Sequence, residues 1–206
     1  MKPNRALIVI DVQNEYVTGN LRIEHPPVQD SLARIGEAMD TARAAGIPVV
    51  VVQNRAPADA PIFALGSPGW ELHPVVASRP HDHFVEKTLP GAFTETDLAA
   101  WLAERHIDTI TVAGYMTHNC DASTIVDAVH RGLKAEFLVD ATGSVPYANE
   151  AGFARAADIH RVFSVVLQSR FAAVVTTSAW IDAVREGWRL DRSTIFASNQ
   201  AALAAA

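Results

Sequence analysis

The chain has 206 residues, with 17 Lys and Arg against 23 Asp and Glu, a formal net charge of −6. Half of the residues (49%) are hydrophobic and 19% are charged, which supports a globular core and excludes a disordered chain. The mild acidity offers no basic footprint for nucleic acid or anionic lipid, and no run of 18 apolar residues is present to cross a bilayer as a helix. The N-terminus, Met-Lys-Pro-Asn-Arg, leads into a short apolar stretch that holds Asp11 and lacks a small-residue cleavage site, so no signal peptide is expected. The lone cysteine, Cys120, cannot form an intramolecular disulfide and suits a reducing compartment, so the expected location is the cytoplasm.

Short apolar runs alternate with amphipathic segments along the chain. Residues 6–10 read as a strand ending at Asp11, and residues 28–45 as a helix closed by Gly46. A second strand covers 47–52, with Pro48 tolerated near its start. Residues 54–83, rich in Pro, Ala, Gly and His, have no period and are expected to form a long loop, where function tends to reside. A very short strand is expected at 84–87. A helix follows from Thr94 to Arg105, opened by a capping-box-like Thr94-x-x-Asp97. Then come a central buried strand at 109–114, a helix from about Asn119 to Arg131, and a strand at 135–139 ending at Asp140. A long helix from about Asn149 to Gln168 precedes a strand at 172–176 and a helix at 178–186; the Ala-rich tail, about 190–206, carries no assignment. Strands alternating with helices imply right-handed crossovers, a parallel sheet covered on both faces, and one α/β domain over residues 1–206.

In an open parallel sheet, ligands bind outside the carboxyl ends of the strands. Asp11, Asn54, Lys87, the segment from Gly114 to Cys120, and Asp140 lie there. Asp11, Lys87 and Cys120 form a chemically meaningful set. A thiol at a helix N-terminus beside a cation has a lowered pKa, and a neighbouring carboxylate can take its proton and return it to a leaving group. Taken singly, each has a plain alternative: a buried inert cysteine, a turn-capping aspartate, a solvated lysine.

Three segments in register carry a resemblance. Ile8-Val9-Ile10-Asp11-Val12-Gln13-Asn14-Glu15 resembles the first strand of the isochorismatase-like cysteine hydrolases, an aliphatic run followed by D-x-Q-N-D/E. The stretch from Phe84 to Phe93 is similar to that family's lysine segment, with Ala-Phe five residues after Lys87, and Gly114-Tyr115-Met116-Thr117-His118-Asn119-Cys120 to its G-x-x-T-x-x-C nucleophile turn. The likeness continues through Thr124, Ala128, Gly132, Asp140-Ala141-Thr142 and residues 171–174. It implies a Rossmann-like three-layer α/β/α fold with a six-stranded, mostly parallel sheet. It also implies Cys120 as nucleophile, Asp11 as general base and Lys87 as the stabilising cation. A cis peptide between Tyr115 and Met116 is implied too, aiming the amides of Met116 and Cys120 at a developing oxyanion.

Metal-dependent nicotinamidases of this family carry a D-x-H ligand set just after the second strand, where this chain reads Gln53-Asn54-Arg55-Ala56-Pro57. His73, His81 and His83 lie further on, so neither metal nor other cofactor is expected. The stretch Gly66-Ser67-Pro68-Gly69-Trp70-Glu71-Leu72-His73-Pro74 resembles one found in amide-cleaving members. Tyr16, Trp70 and Tyr115 are candidate pocket walls, joined by His118 as a substrate contact rather than as half of a Cys-His dyad; His160 reads as a structural histidine. The expected reaction is cleavage of a C–N bond in a small amide or carbamoyl compound through a thioester. Vinyl ether hydrolysis and a non-catalytic binding module on the same scaffold are the alternatives. A dinucleotide site is disfavoured, because no G-x-G-x-x-G follows the first strand. Apolar residues late in the chain, including Trp180, Ile181 and Trp188, point to a homodimer or homotetramer.

Overall fold

The structure is a computed structural model that describes residues 2–205. In chain order it comprises β1 (Arg5–Ile10), α1 (Val28–Ala44), β2 (Val49–Asn54), the single turn α2 (Pro74–Ala77), β3 (His83–Lys87), α3 (Leu98–Glu104) and β4 (Thr109–Tyr115). A π-type turn (Thr117–Asp121) leads into α4 (Ala122–His130) and β5 (Lys134–Gly143). The hairpin β6 (Tyr147–Asn149) and β7 (Gly152–Ala154), then α5 (Ala156–Arg170), β8 (Ala173–Val175), α6 (Thr177–Glu186) and α7 (Ile195–Ala204) complete the chain.

Six strands form one sheet in the order β3-β2-β1-β4-β5-β8, every pair parallel. Helices on both faces explain why the strands read as near-continuous apolar runs. Alternation along β1 sends Ala6, Ile8 and Ile10 to one core, against Leu98 and Leu102 of α3 and Ile125 and Ala128 of α4. Leu7 and Val9 go to the other, against Ile35 and Met39 of α1 and Trp180 of α6. The chain works outward from β1 to β3, then returns to β4 on the other side of β1. The carboxyl ends of β1 and β4 therefore flank the crevice where strand order reverses.

Deep at the other end of the sheet, Arg5 pairs with Glu136 at 2.8 Å, both side chains buried. Thr111 Oγ1 and Trp180 Nε1 donate to the same carboxylate at 2.8 and 3.0 Å. Breaking a pair of this kind strands a buried charge, so Glu136→Ala is expected to lower unfolding free energy by about 3–5 kcal/mol in urea titrations. Arg5→Met combined with Glu136→Leu is expected to cost less.

Several elements differ from their sequence-based reading. The helix expected from Thr94 begins at Leu98, because Glu95 takes φ +59° and the Asp97 carboxylate goes to His83 Nε2 at 2.9 Å instead of capping. The segment from Asn149 to Ala154, expected as the start of a long helix, belongs to the β6–β7 hairpin. Gly152 at φ +130° has a conformation no helix uses, and Asn149 Oδ1 accepts from Ala151 N at 2.9 Å across the turn. β5 runs past Asp140 to Gly143 because its pairing with β4 shifts register between Val112 and Gly114 and then resumes. Asp140 instead accepts from Thr177 N and Thr177 Oγ1 at 2.7 and 2.8 Å, fixing the start of α6. The unassigned tail contains α7, capped by Thr194 and favoured by alanine's helix propensity; Ala206 lies outside the described residues. Among the described residues no helix is long and apolar enough to cross a membrane.

Candidate active site

Asp11, Lys87 and Cys120 arrive from three different elements. Asp11 follows β1 in a left-handed conformation, φ +51°, which aspartate tolerates better than most residues. Its N–H donates to Val52 O at 2.9 Å, keeping the turn anchored to β2. Lys87 closes β3, where period-two alternation puts Val85 and Lys87 inward and Phe84 and Glu86 outward. Cys120 sits in the π-type turn after β4, reached through Gly114 at φ +120°. A Cβ on Gly114 would stand 2.0 Å from Ile10 O, so only glycine lets β4 close against β1 here. The peptide between Tyr115 and Met116 is cis.

The three groups meet in a buried cluster. Lys87 Nζ lies 2.6 Å from Asp11 Oδ2 and 3.4 Å from Cys120 Sγ. Burial raises the Asp11 pKa, against the pull of Lys87. Burial works against the Lys87 charge too, but Asp11 and Cys120 outweigh it and hold the ammonium above the usual lysine range. The thiol differs from its sequence-based expectation: its pKa is pushed well up, first by burial and then by the Asp11 charge, with Lys87 only partly offsetting them. Burial and the Asp11 charge thus favour the neutral thiol, while Lys87 sits closer to the carboxylate than to sulfur. Asp11 Oδ1 is buried without a hydrogen-bond partner, open to receive a proton.

Cys120 forms part of the wall of a cavity of about 510 Å³. Tyr16, Leu21, Ile62, Phe63, Leu89 and Met116 make the rest of that wall largely apolar, while Asn54, Arg55, Thr88 and Asn119 supply polar edges. The segment after Asp11 holds this wall in place. Gln13 Nε2 donates to Asn54 O and Trp70 O at 2.8 and 2.7 Å, and its Oε1 accepts from Asn54 N at 3.0 Å. Glu15 Oε1 accepts from Asn20 N at 2.5 Å, and a Cβ at Gly69 would stand 2.3 Å from Glu15 Oε2. The D-x-Q-x-E spacing therefore supplies one carboxylate at the reaction centre and two side chains that tie the loops around it.

Of the three candidate wall residues and the candidate contact His118, only Tyr16 lines this cavity. Tyr115 is buried beneath Tyr16, ring centroids 5.3 Å apart, with its hydroxyl 2.7 Å from Ser31 Oγ. Trp70 contributes its carbonyl to Gln13 and Gln53, and its indole N–H is buried without a hydrogen-bond partner. His118 has both ring nitrogens occupied, by Ser144 Oγ at 3.2 Å and Tyr147 OH at 2.9 Å, and burial lowers its pKa to about 4. It has no free nitrogen for the thiol proton.

The nicotinamidase metal set does not fit here. Asn54 at the end of β2 and Ala56 two residues on stand in place of the aspartate and histidine, and Arg55 between them pairs with Glu86 at 2.5 Å. His73 caps α2 through Nδ1, and His83 stacks on Trp101. Sequence reasoning missed a polar chain behind Cys120, running from Asp121 through Thr142 and Thr117 to His160; Thr117 and Thr142 lie in the family-like motifs and His160 read as structural, but nothing in the sequence joins them.

The isochorismatase domain profile matches residues 5–179. The chain belongs to the isochorismatase family. A crystal structure of an isochorismatase-type protein from Burkholderia xenovorans LB400 superposes with a TM-score of 0.98 at 70% identity, covering 99% of this chain and 98% of that one. The secreted isochorismatase effector Isc1 of Verticillium dahliae is 30% identical over 169 residues, 80% of this chain and 88% of that protein. The streptothricin hydrolase of Streptomyces noursei is 34% identical over 142 residues, 68% of this chain and 55% of that enzyme. This isochorismatase-family chain is accordingly a hydrolase with the family's parallel-sheet fold.

Proposed function

We propose that the protein cleaves the C–N bond of a small, largely apolar amide or carbamoyl compound through a Cys120 thioester. The observation that carries this reading is the buried contact of Lys87 Nζ with both Asp11 Oδ2 and Cys120 Sγ beside an apolar cavity. Substrate binding would bring the carbonyl carbon to Sγ as Asp11 takes the thiol proton. The amides of Met116 and Cys120, both cavity residues, would receive the oxyanion, with Lys87 balancing the charge on sulfur and carboxylate. Collapse breaks the C–N bond as Asp11 returns its proton to the departing nitrogen. Water, deprotonated by the same carboxylate, then resolves the thioester. A vinyl ether offers no acyl carbon for this route, although the likeness to an isochorismatase effector makes vinyl ether cleavage the second reading.

The test is ammonia release from a panel of small aliphatic and aromatic amides. Release from at least one of them supports the reading; efficient turnover of isochorismate with no amide cleaved overturns it. Activity is expected to survive exhaustive chelation, because Asn54 and Ala56 stand where a metal's carboxylate and imidazole would be needed. Loss with EDTA and rescue by zinc or manganese would contradict this. Self-association belongs to the same reading, since α5 exposes Val162, Val165 and Val166 and α7 exposes Phe196. Light scattering is expected to give a multiple of 22.2 kDa.

A further inference from the structure

Directly after the nucleophile, Asp121 is fully buried, and the mechanism above gives it no role. Thr142 Oγ1 lies 2.5 Å from Asp121 Oδ2, Thr117 Oγ1 lies 3.0 Å from Thr142 Oγ1, and His160 Nδ1 lies 3.0 Å from Thr117 Oγ1. His160 is itself buried, and its ring meets that of the half-buried His25 edge-on, centroids 5.4 Å apart. Asp121 Oδ1 has no partner.

Counting protons decides how such a chain works. Three links need three hydrogens, and the two threonines supply two. The third comes from one end or the other. With Asp121 protonated, every hydroxyl points toward His160, whose Nδ1 accepts and whose Nε2 carries the hydrogen. With Asp121 ionised, every hydroxyl points back and His160 must donate from Nδ1. An ionised Asp121 facing an Nε2–H histidine would leave one link without a hydrogen, a costly defect in a buried network.

We propose that Asp121, Thr142, Thr117 and His160 form a proton-conducting chain behind Cys120 that couples the ionisation of Asp121 to the tautomer of His160. When Asp121 loses its proton to Thr142, Thr142 passes its own to Thr117 and Thr117 passes its own to His160 Nδ1. His160 then releases its Nε2 proton. One proton leaves the protein, and no bond but O–H and N–H changes. Asp121 is a positioning residue in this scheme. Its charge acts on the Cys120 thiol, and Asp11, Lys87, Tyr16, Tyr115 and His160 are the other titratable groups that share its surroundings. Burial raises its pKa to about 7, and burial together with His25 keeps His160 neutral down to about 4, so the switch falls near neutrality.

This inference concerns the site of the proposed hydrolase, but its test needs no substrate. Nitrogen-15 NMR of the His160 ring is expected to show its hydrogen moving from Nε2 to Nδ1 with a midpoint near pH 7, and to show no such transition in Asp121→Asn. Thr142→Val, which removes the hydrogen bond that favours ionised Asp121, is expected to move that midpoint to higher pH. Cys120 alkylation by iodoacetamide is expected to coincide in wild type and Asp121→Asn below pH 6. Above the transition the variant is expected to run ahead by about three- to tenfold, because only wild type gains a charge that pushes the thiol up. A His160 tautomer that ignores residue 121, or alkylation curves offset by a constant factor at every pH, overturns the chain. Absence of amide cleavage with both signatures intact would overturn only the proposed reaction.

Discussion

Cys120→Ala is expected to lower amide hydrolysis by about 10⁴-fold or more, into the background, while leaving the fold intact. Cys120 is the only cysteine, so no second thiol can substitute for it. The lost side chain is small and borders a cavity, so destabilisation of roughly 1 kcal/mol and a melting temperature within a few degrees of wild type are expected. Mass spectrometry of the wild-type protein quenched during turnover is expected to show one acyl adduct on the Cys120 peptide, absent in the variant. Cys120→Ser keeps an oxygen nucleophile in place. Its hydroxyl is a far weaker acid, however, so the variant is expected to stay close to the alanine variant in rate. Hydrolysis by Cys120→Ala within tenfold of wild type would end the thioester mechanism.

How much of this was legible in the sequence depends on the kind of information each residue needed. Asp11 and Cys120 could be placed from topology alone, because strands that end at a switch point deliver their next residues to the same crevice. Lys87 needed only the period-two alternation of a short strand. The wall residues needed more. Tyr115 ends β4 on the same face as Ala113, under Tyr16, and the motif around it does not reveal which face that is. His118 meets Ser144, just past β5, and Tyr147, at the start of the β6–β7 hairpin, 26 and 29 residues away, contacts that no local pattern signals. Thr142 reaches Asp121 because β5 shifts register and continues past its apparent end, a feature set by pairing between strands. The segments that periodicity could not resolve were those whose conformation rests on a single backbone angle, at Glu95 and Gly152.

Asp11→Asn is expected to separate two properties of the nucleophile that most substitutions change together. An amide cannot take the thiol proton or return one to the leaving nitrogen, so hydrolysis is expected to fall by about 10²–10⁴-fold. The thiol responds in the opposite sense. Burial is the main reason its pKa is high, and the Asp11 charge is the next. Removing that charge leaves Lys87 Nζ at 3.4 Å as the nearest ion, which favours the thiolate. A thiol pKa lower by one unit gives about tenfold more thiolate at any pH below it, so alkylation at pH 7 is expected to quicken by about that factor. The thiolate also replaces the lost carboxylate as the partner of Lys87, so the buried ammonium is not stranded. Lys87→Met is the counterpart: it removes the cation that lowers the thiol pKa, and alkylation is expected to slow. If Asp11→Asn instead depresses alkylation and hydrolysis together, the carboxylate serves placement and not proton transfer. If it leaves hydrolysis within a few-fold of wild type, the base lies elsewhere. A faster thiol in a slower enzyme is the outcome that identifies Asp11 as the group carrying the proton from sulfur to the departing nitrogen.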